Sequence, residues 1–271
     1  MQHPLDAMLF HPLAEKLAQS LSATQVTPNM VSASGGLMVV LAGVAYAQGN
    51  WPWSVLLGFL LHASWHVLDG ADGDLARICG KASPQGEIFD GICDYLGHIS
   101  LYLTLIYAGF QQGGWTLLAL GLAAGASRVF QANFHESQRR QFMHWIYGTA
   151  WLRTERENPA QSASNALGKG YLKLAEMLAP GDPLVDAALA GPARSAAVKK
   201  RLEELGPGAF AGSSLLGAPY RTLALGAAML AGSPIWYFLY EIIVLNLVLA
   251  QGVYRSRRSL SLLQETIGAS A

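Results

Sequence analysis

Asp69, Asp72, Asp90 and Asp94 are the residues whose type and spacing could do chemistry. They lie in the stretch DGADGDLARICGKASPQGEIFDGICD, inside strongly apolar surroundings. Asp69 and Asp72 are three residues apart and Asp90 and Asp94 four, so on two helices each pair projects from a single face. Two such faces opposite one another make a carboxylate-rich cage. Four buried anions without compensation are prohibitively unfavourable, and the simplest remedy is one or two hard divalent cations bound through oxygen. Asp69, Asp72 and Asp90 are the natural ligands, and an ion pair there could clamp a diphosphate while neutralising its charge. Asp94, one turn past Asp90 on the same face, could ligate too or serve as a general base. Gly73 and Ala76 lack bulk and let a flat or phosphorylated group approach the backbone. Gly86 does the same from the facing helix. Arg77 beside them suits bidentate recognition of phosphate oxygens. Asp74 and Glu87 fall off these faces and read as solvated residues at the mouth.

The elements that must position these residues are membrane helices. Of 271 residues, 52% are hydrophobic and only 13% charged, with a formal net charge of zero. Soluble domains carry about 25% charged residues. Aromatic-flanked apolar runs of about 20 residues, the length that crosses a bilayer, fall at 30–48, 53–72, 88–110, 114–133, 218–233 and 235–254. The expected fold is therefore all-α: a polytopic bundle of about six transmembrane helices in one membrane-embedded catalytic domain over 1–271. The connections Gln48 to Trp53, Gln111 to Gly114 and Ala231 to Pro234 carry no Lys or Arg, whereas all 18 basic residues fall in or facing the other connections and the termini. By the positive-inside rule both termini and the acidic stretch are cytoplasmic. Thr27-Pro28-Asn29 is a turn and helix start into the first span. Gly80 to Gly86 is a turn by composition, so the second and third spans form a hairpin with the carboxylates at its cytoplasmic mouth.

Two regions lie outside the spans. Residues 1–24 are amphipathic, with Leu9, Phe10, Leu13, Leu17 and Leu21 at helical spacing. They form a helix that lies along the membrane surface or packs on the domain's own cytoplasmic face. Residues 135–215 are polar, rich in Gly, Pro and Ser, and too long for an ordinary connection. They make a cytoplasmic insertion, either a lid over the site or a solvated excursion, with one amphipathic helix marked by Leu167, Tyr171, Leu174 and Leu178 and another from Ala193 to Leu205.

Among weaker signals, His62 and His66 are four apart on the second span and read as polar packing rather than metal ligands. His98, one turn past Asp94, could orient it. Arg128, near the cytoplasmic end of the fourth span, could bind a substrate phosphate or snorkel to the interface. Asn133 and Arg139-Arg140 are fainter candidates of the same kind. Glu241 and Asn246 face the bundle or a dimer interface. Lys199-Lys200-Arg201 is a solvated charge run or a contact with anionic headgroups. Cys79 and Cys93, on the cytoplasmic side, are reduced packing residues.

The acidic stretch can be written D-x2-D-G-x2-A-R-x8-G-x3-D-x3-D, filled without departure by Asp69, Asp72, Gly73, Ala76, Arg77, Gly86, Asp90 and Asp94. It resembles the signature of the CDP-alcohol phosphotransferase family, and six spans with Pro28-Asn29 ahead of the first are similar to that family as well. The resemblance implies an integral membrane enzyme, usually a homodimer. Such enzymes move a substituted phosphate from a CDP-linked alcohol to the hydroxyl of a second alcohol and release CMP. Carried over by position, Asp69, Asp72 and Asp90 would bind Mg²⁺ or Mn²⁺, two ions in all. Asp94 would join the metal site and act as base toward the acceptor. Gly73, Ala76 and Gly86 would line the cytidine site, and Arg77 would meet the diphosphate.

The expected reaction is phospholipid synthesis from CDP-diacylglycerol and a polar acceptor such as glycerol phosphate, inositol phosphate or serine. The alternative within the family pairs a soluble donor, CDP-choline or CDP-ethanolamine, with a lipid acceptor. Ser83-Pro84, Gly86 to Asp90 and Cys93-Asp94 resemble the phrasing of that branch. An alternative of another class is a divalent-cation transporter with carboxylates along an ion path, although clustering of the acidic pairs at one face speaks against it. The partners expected are donor, acceptor and membrane lipid, with no nucleic acid. The location is the inner or plasma membrane if the source is bacterial.

Overall fold

A computed structural model describes residues 5–148, 182–206, 208–211 and 214–269. The helix expected around Leu167 to Leu178 lies outside them. Every regular element among the described residues is helical, in keeping with the all-α expectation. The main helices are α1 (His11–Ser22), α2 (Pro28–Ala47), α3 (Trp53–Ile78), α4 (Pro84–Tyr147), α5 (Pro183–Ala190), α6 (Pro192–Leu205), α7 (Ala218–Leu230) and α8 (Ile235–Gly268). Each of the six apolar runs coincides with a helix or part of one. Two of these helices, α2 and α8, are long and apolar enough to cross a membrane. Polar side chains within α3 and the first part of α4, including His62, His66, Asp69, Asp90 and Asp94, dilute their apolarity, and α7 has only 13 residues.

Helix ends follow local chemistry. Thr27 caps α2, its Oγ1 accepting from the Met30 N–H at 3.3 Å, and Pro28 supplies the first helical residue. α3 closes in a Schellman motif: Gly80 adopts a φ of +63°, its N–H donates to the Arg77 carbonyl, and the Lys81 N–H donates to the Ala76 carbonyl at 2.8 Å. Ser83 then caps α4 by accepting from the Gly86 N–H at 3.1 Å, with Pro84 in the first helical position. The turn expected over 80–86 is therefore shorter than its composition suggested, because Pro84 to Gly86 already belong to α4. Gly113 and Gly114 break α4 with non-helical angles, at the connection expected between the third and fourth spans.

The chain forms two compact units, Gln2–Gly125 with Ala218–Ile242, and Ala126–Gly217 with Ile243–Ala271. The first unit holds the acidic stretch. Its core joins Val39 and Tyr46 of α2, Trp65 of α3, Leu101 of α4, Leu225 of α7 and Phe238 of α8. Deep in it, Arg221 pairs with Glu241, which also accepts from the hydroxyls of Tyr102 and Tyr237. Glu241 sits on a widened π turn, Tyr240–Val244. That network ties α4, α7 and α8 together and leaves neither charge unpaired, the condition under which buried ions are tolerated. α1 packs Ala14 and Ala18 against Ala71 and Leu75 of α3 and leaves Leu13 exposed, as are Met8 and Leu9 in the turn ahead of it. In the second unit, Phe142, Trp145, Val185, Val198, Phe210 and Leu263 build a separate apolar core.

Adjacent glycines on α2 set the spacing of the two acidic helices. A Cβ at Gly35 would touch Trp65 of α3 at 3.4 Å, and one at Gly36 would meet the Cys93 carbonyl of α4 at 2.8 Å. A Cβ at Gly97 of α4 would in turn meet the Gly36 carbonyl at 3.0 Å. Small residues allow such backbone approach. In thermal denaturation Gly36→Ala is expected to lower stability by about 1–3 kcal/mol through overpacking. Gly91→Ala, whose Cβ meets nothing within 4 Å, is expected to leave the midpoint unchanged or raised.

Candidate functional site

The four carboxylates of the sequence motif meet where α3 and α4 face one another. Ligand oxygens of Asp69, Asp90 and Asp94 all lie within 4.8 Å of one another. The carboxyls of Asp69 and Asp94 approach to hydrogen-bonding range, as do those of Asp72 and Asp90, so each pair joins one residue of α3 to one of α4. Asp72 is buried, whereas Asp69, Asp90 and Asp94 are half-buried. An all-carboxylate donor set of this size matches the preference of hard divalent cations for oxygen. It does not resemble the nitrogen and sulfur sets that select transition metals.

Two side chains that the spacing argument passed over hold these carboxylates in place. Ser32 of α2 donates from Oγ to Asp72 Oδ2 at 2.5 Å, and Trp65 of α3 donates from Nε1 to Asp94 Oδ1 at 2.6 Å. Both leave the second oxygen of the carboxylate for another partner. The signal for Ser32 was its place one turn into the helix that begins at Pro28-Asn29. For Trp65 it was a polar-tipped aromatic one turn before Asp69.

The histidines play a supporting part. His98 Nδ1 donates to the backbone carbonyl of Asp94 at 2.9 Å rather than to its carboxylate, and the ring packs edge-on against Trp65. His62 and His66 share the Thr222 hydroxyl of α7, at 3.3 and 2.9 Å. Phe10 stacks on His66 from the amino-terminal side. These contacts fit the reading of His62 and His66 as polar packing.

The residues expected at a nucleotide take positions along the same two helices. Gly73 lies beneath the Arg77 guanidinium, whose Nη1 would be 3.5 Å from a Cβ there. Arg77 itself is exposed and paired with Asp74 at 2.6 Å. An exposed pair of this kind contributes about 0–1 kcal/mol, so exchange of Asp74 for a phosphate is cheap. Ala76 is half-buried, and Gly86 lies beside Ser83 and Asn29. Cys79 and Cys93 are free thiols.

The other candidates belong to the second unit or to structural networks. Arg128 is on α4 within that second unit. Arg139 and Arg140 both pair with Glu136; burial alone would raise the Glu136 carboxyl, but the hydrogen bonds and charge of the two guanidiniums outweigh it and hold it below the usual range. Asn246 bridges Gln131 and Ser127. Arg201 pairs with Glu204.

Residues 25–150, which contain the whole carboxylate cluster, match the sequence profile of the CDP-alcohol phosphatidyltransferase family. The likeness to that family holds for this region, a little under half of the chain. It is also 31% identical, over 106 residues, to the archaetidylinositol phosphate synthase of Pyrococcus horikoshii. That alignment covers 39% of this chain and 54% of the relative, so the chain spans about half the length of the curated relative it matches. The matched region begins just ahead of α2 and carries Ser32, Trp65 and all four carboxylates.

Loss of the indole N–H should show in activity. Trp65→Phe keeps the ring between Gly35 and His98 but frees Asp94. Turnover is expected to fall about tenfold, the worth of a hydrogen bond to a charged group, with KM for the donor little changed. A kcat equal to wild type would mean that Asp94 is held without the indole.

Proposed function

We propose that this protein is a membrane-embedded enzyme that makes a phospholipid, transferring a substituted phosphate from a CDP-linked alcohol to an acceptor alcohol and releasing CMP. The observation that carries the reading is the convergence of Asp69, Asp90 and Asp94 on one point, with Asp72 against Asp90, within the region that matches the family. Asp69, Asp72, Asp90 and Asp94 would hold Mg²⁺ or Mn²⁺, two ions in all, and their carboxylate oxygens suit that group. When bound, the cations neutralise the diphosphate and polarise the phosphoryl group under attack.

The chain's own residues supply the rest. Gly73, Ala76 and Gly86 leave room for the cytidine along α3 and the start of α4. Arg77 exchanges Asp74 for the diphosphate. Asp94 takes the proton of the acceptor hydroxyl as its oxygen bonds to the phosphorus next to the donor alcohol. The bond from that phosphorus to the CMP oxygen breaks, and CMP leaves with the electron pair. Trp65 keeps Asp94 turned so that its second oxygen faces the reacting groups. Arg128 binds a substrate phosphate.

The donor we favour is CDP-diacylglycerol, with a polar acceptor of the phosphoinositol or phosphoglycerol kind. The name of the matching relative, an archaetidylinositol phosphate synthase, supports a lipid-linked donor. The remaining expectations fit this reading. Six helices cross the membrane, α1 lies at its cytoplasmic surface, residues 135–215 form a cytoplasmic insertion, both termini and the active site are cytoplasmic, and the enzyme is a homodimer.

CMP release by the purified chain tests the proposal, with CDP-diacylglycerol, CDP-choline and CDP-ethanolamine each offered alongside inositol phosphate, glycerol phosphate, serine or diacylglycerol. Release is expected from CDP-diacylglycerol with a polar acceptor and a divalent cation. Release confined to CDP-choline or CDP-ethanolamine would move the enzyme to the other branch, and none from any donor would refute the activity. Asp94→Asn is expected to lower turnover by about a thousandfold, within the range of general-base catalysis, while equilibrium dialysis still finds donor bound. Asp69→Ala is expected to lose cation-dependent donor binding in the same dialysis.

A further inference from the structure

A cleft of about 390 Å³ opens in the second unit between the end of α6 and the last turns of α8. It is lined by Leu205, Gly208, Arg255, Arg258, Ser259 and Leu262. Arg255 and Arg258 are three residues apart, and Ser259 is four past Arg255, so all three present one face of α8. Neither guanidinium makes a hydrogen bond or ion pair with any described residue. This distinguishes them from Arg77, Arg139, Arg140, Arg201 and Arg221, each of which has a carboxylate partner. Ser259 is only 6% exposed, and no described group hydrogen-bonds its hydroxyl. Two guanidiniums without a partner among the described residues and a nearly buried hydroxyl around one cleft form a receptor for a tetrahedral oxyanion, since guanidiniums bind phosphate bidentately.

The level of this cleft along α8 points to the source of the phosphate. From Ile235 to Tyr254 the helix runs 20 residues, about 30 Å at 1.5 Å per residue, the thickness of the hydrocarbon core. Trp236 and Tyr254 are exposed near its two ends, as an aromatic belt requires, and Ile243, Val244 and Leu247 between them are exposed and apolar. Arg255 follows immediately and so stands at headgroup depth. Leu205 and Leu262 give the cleft an apolar wall that a free phosphate would leave uncovered but the glycerol and first methylenes of a lipid would fill.

We infer that this cleft binds the phosphate of an anionic phospholipid, held by Arg255, Arg258 and the Ser259 hydroxyl. The inference rests on α8 crossing the membrane and not on the transfer reaction. The cleft shares no residue with the carboxylate cluster, and the lipid is proposed as a resident of the fold.

Native mass spectrometry of the full chain, released from vesicles of phosphatidylglycerol and phosphatidylcholine, tests it. Wild type is expected to retain phosphatidylglycerol in preference to phosphatidylcholine. Arg258→Gln and Arg255→Gln should each lower that retention about tenfold, the worth of one charge-assisted contact. Arg257→Gln removes the same charge from an exposed neighbour that does not line the cleft, and should retain lipid as wild type does. Equal loss in Arg257→Gln and Arg258→Gln would reduce the effect to general surface charge and overturn the site. So would wild type without any lipid preference. Soluble glycerol phosphate that binds with the same dependence on Arg258 would assign the cleft to a free phosphate and remove the lipid. CMP release is read in parallel, so that failure of the transfer reading leaves this outcome intact.

Discussion

Mutual repulsion among Asp69, Asp72, Asp90 and Asp94 is the force against which the surrounding helices work. Carboxylates this close, in an apolar bundle, favour separation of α3 from α4 unless cations join them and the backbone resists. Resistance comes from close packing. Gly35 and Gly36 let α2 lie tightly against α3 and α4 together, and Gly97 returns the contact from α4. The five-residue connection from Cys79 to Ser83, closed by a Schellman motif and opened by a Ser-Pro cap, keeps the two acidic helices adjacent in the chain.

That scaffold also divides the labour of the carboxylates. Asp72, the most buried, is tied to α2 through Ser32, and Asp94 is tied to α3 through Trp65. Asp69 and Asp90 are half-buried beside them. A cation arriving at such a cluster meets oxygens already gathered, so little ordering remains to oppose binding. Farther from the cluster the same unit handles a different charge problem. Glu241 is matched by Arg221 and two tyrosine hydroxyls, a closed network that needs no ligand. The contrast separates charge kept for structure from charge left available for chemistry.

Much of the site was legible in the sequence because it rests on local spacing. Carboxylates three and four apart, Gly80 after a helix and Ser83-Pro84 before one all act within a turn or two. The six apolar runs were legible for the same reason. Ser32 and Trp65 were not, because their roles depend on which residue of another helix lies opposite, and a serine on an apolar helix has no spacing signature. Arg221 went unnoticed beside Glu241 for that reason too. Helix α4 runs to Tyr147, past the apolar run that ended near 133, because Gln138 and Gln141 turn inward and hydropathy cannot register a buried polar face. The polar stretch after it similarly concealed a core, since Trp145, Val185, Val198 and Phe210 are too scattered in sequence to read as one surface.

Anomalous diffraction from crystals of the full chain grown with Mn²⁺ tests the central claim most directly. If α2, α3 and α4 hold the four carboxylates as a cation clamp, the strongest anomalous density lies among the oxygens of Asp69, Asp72, Asp90 and Asp94, and it disappears in Asp90→Asn. Manganese found only at other positions, with the four carboxylates still gathered, would contradict the account.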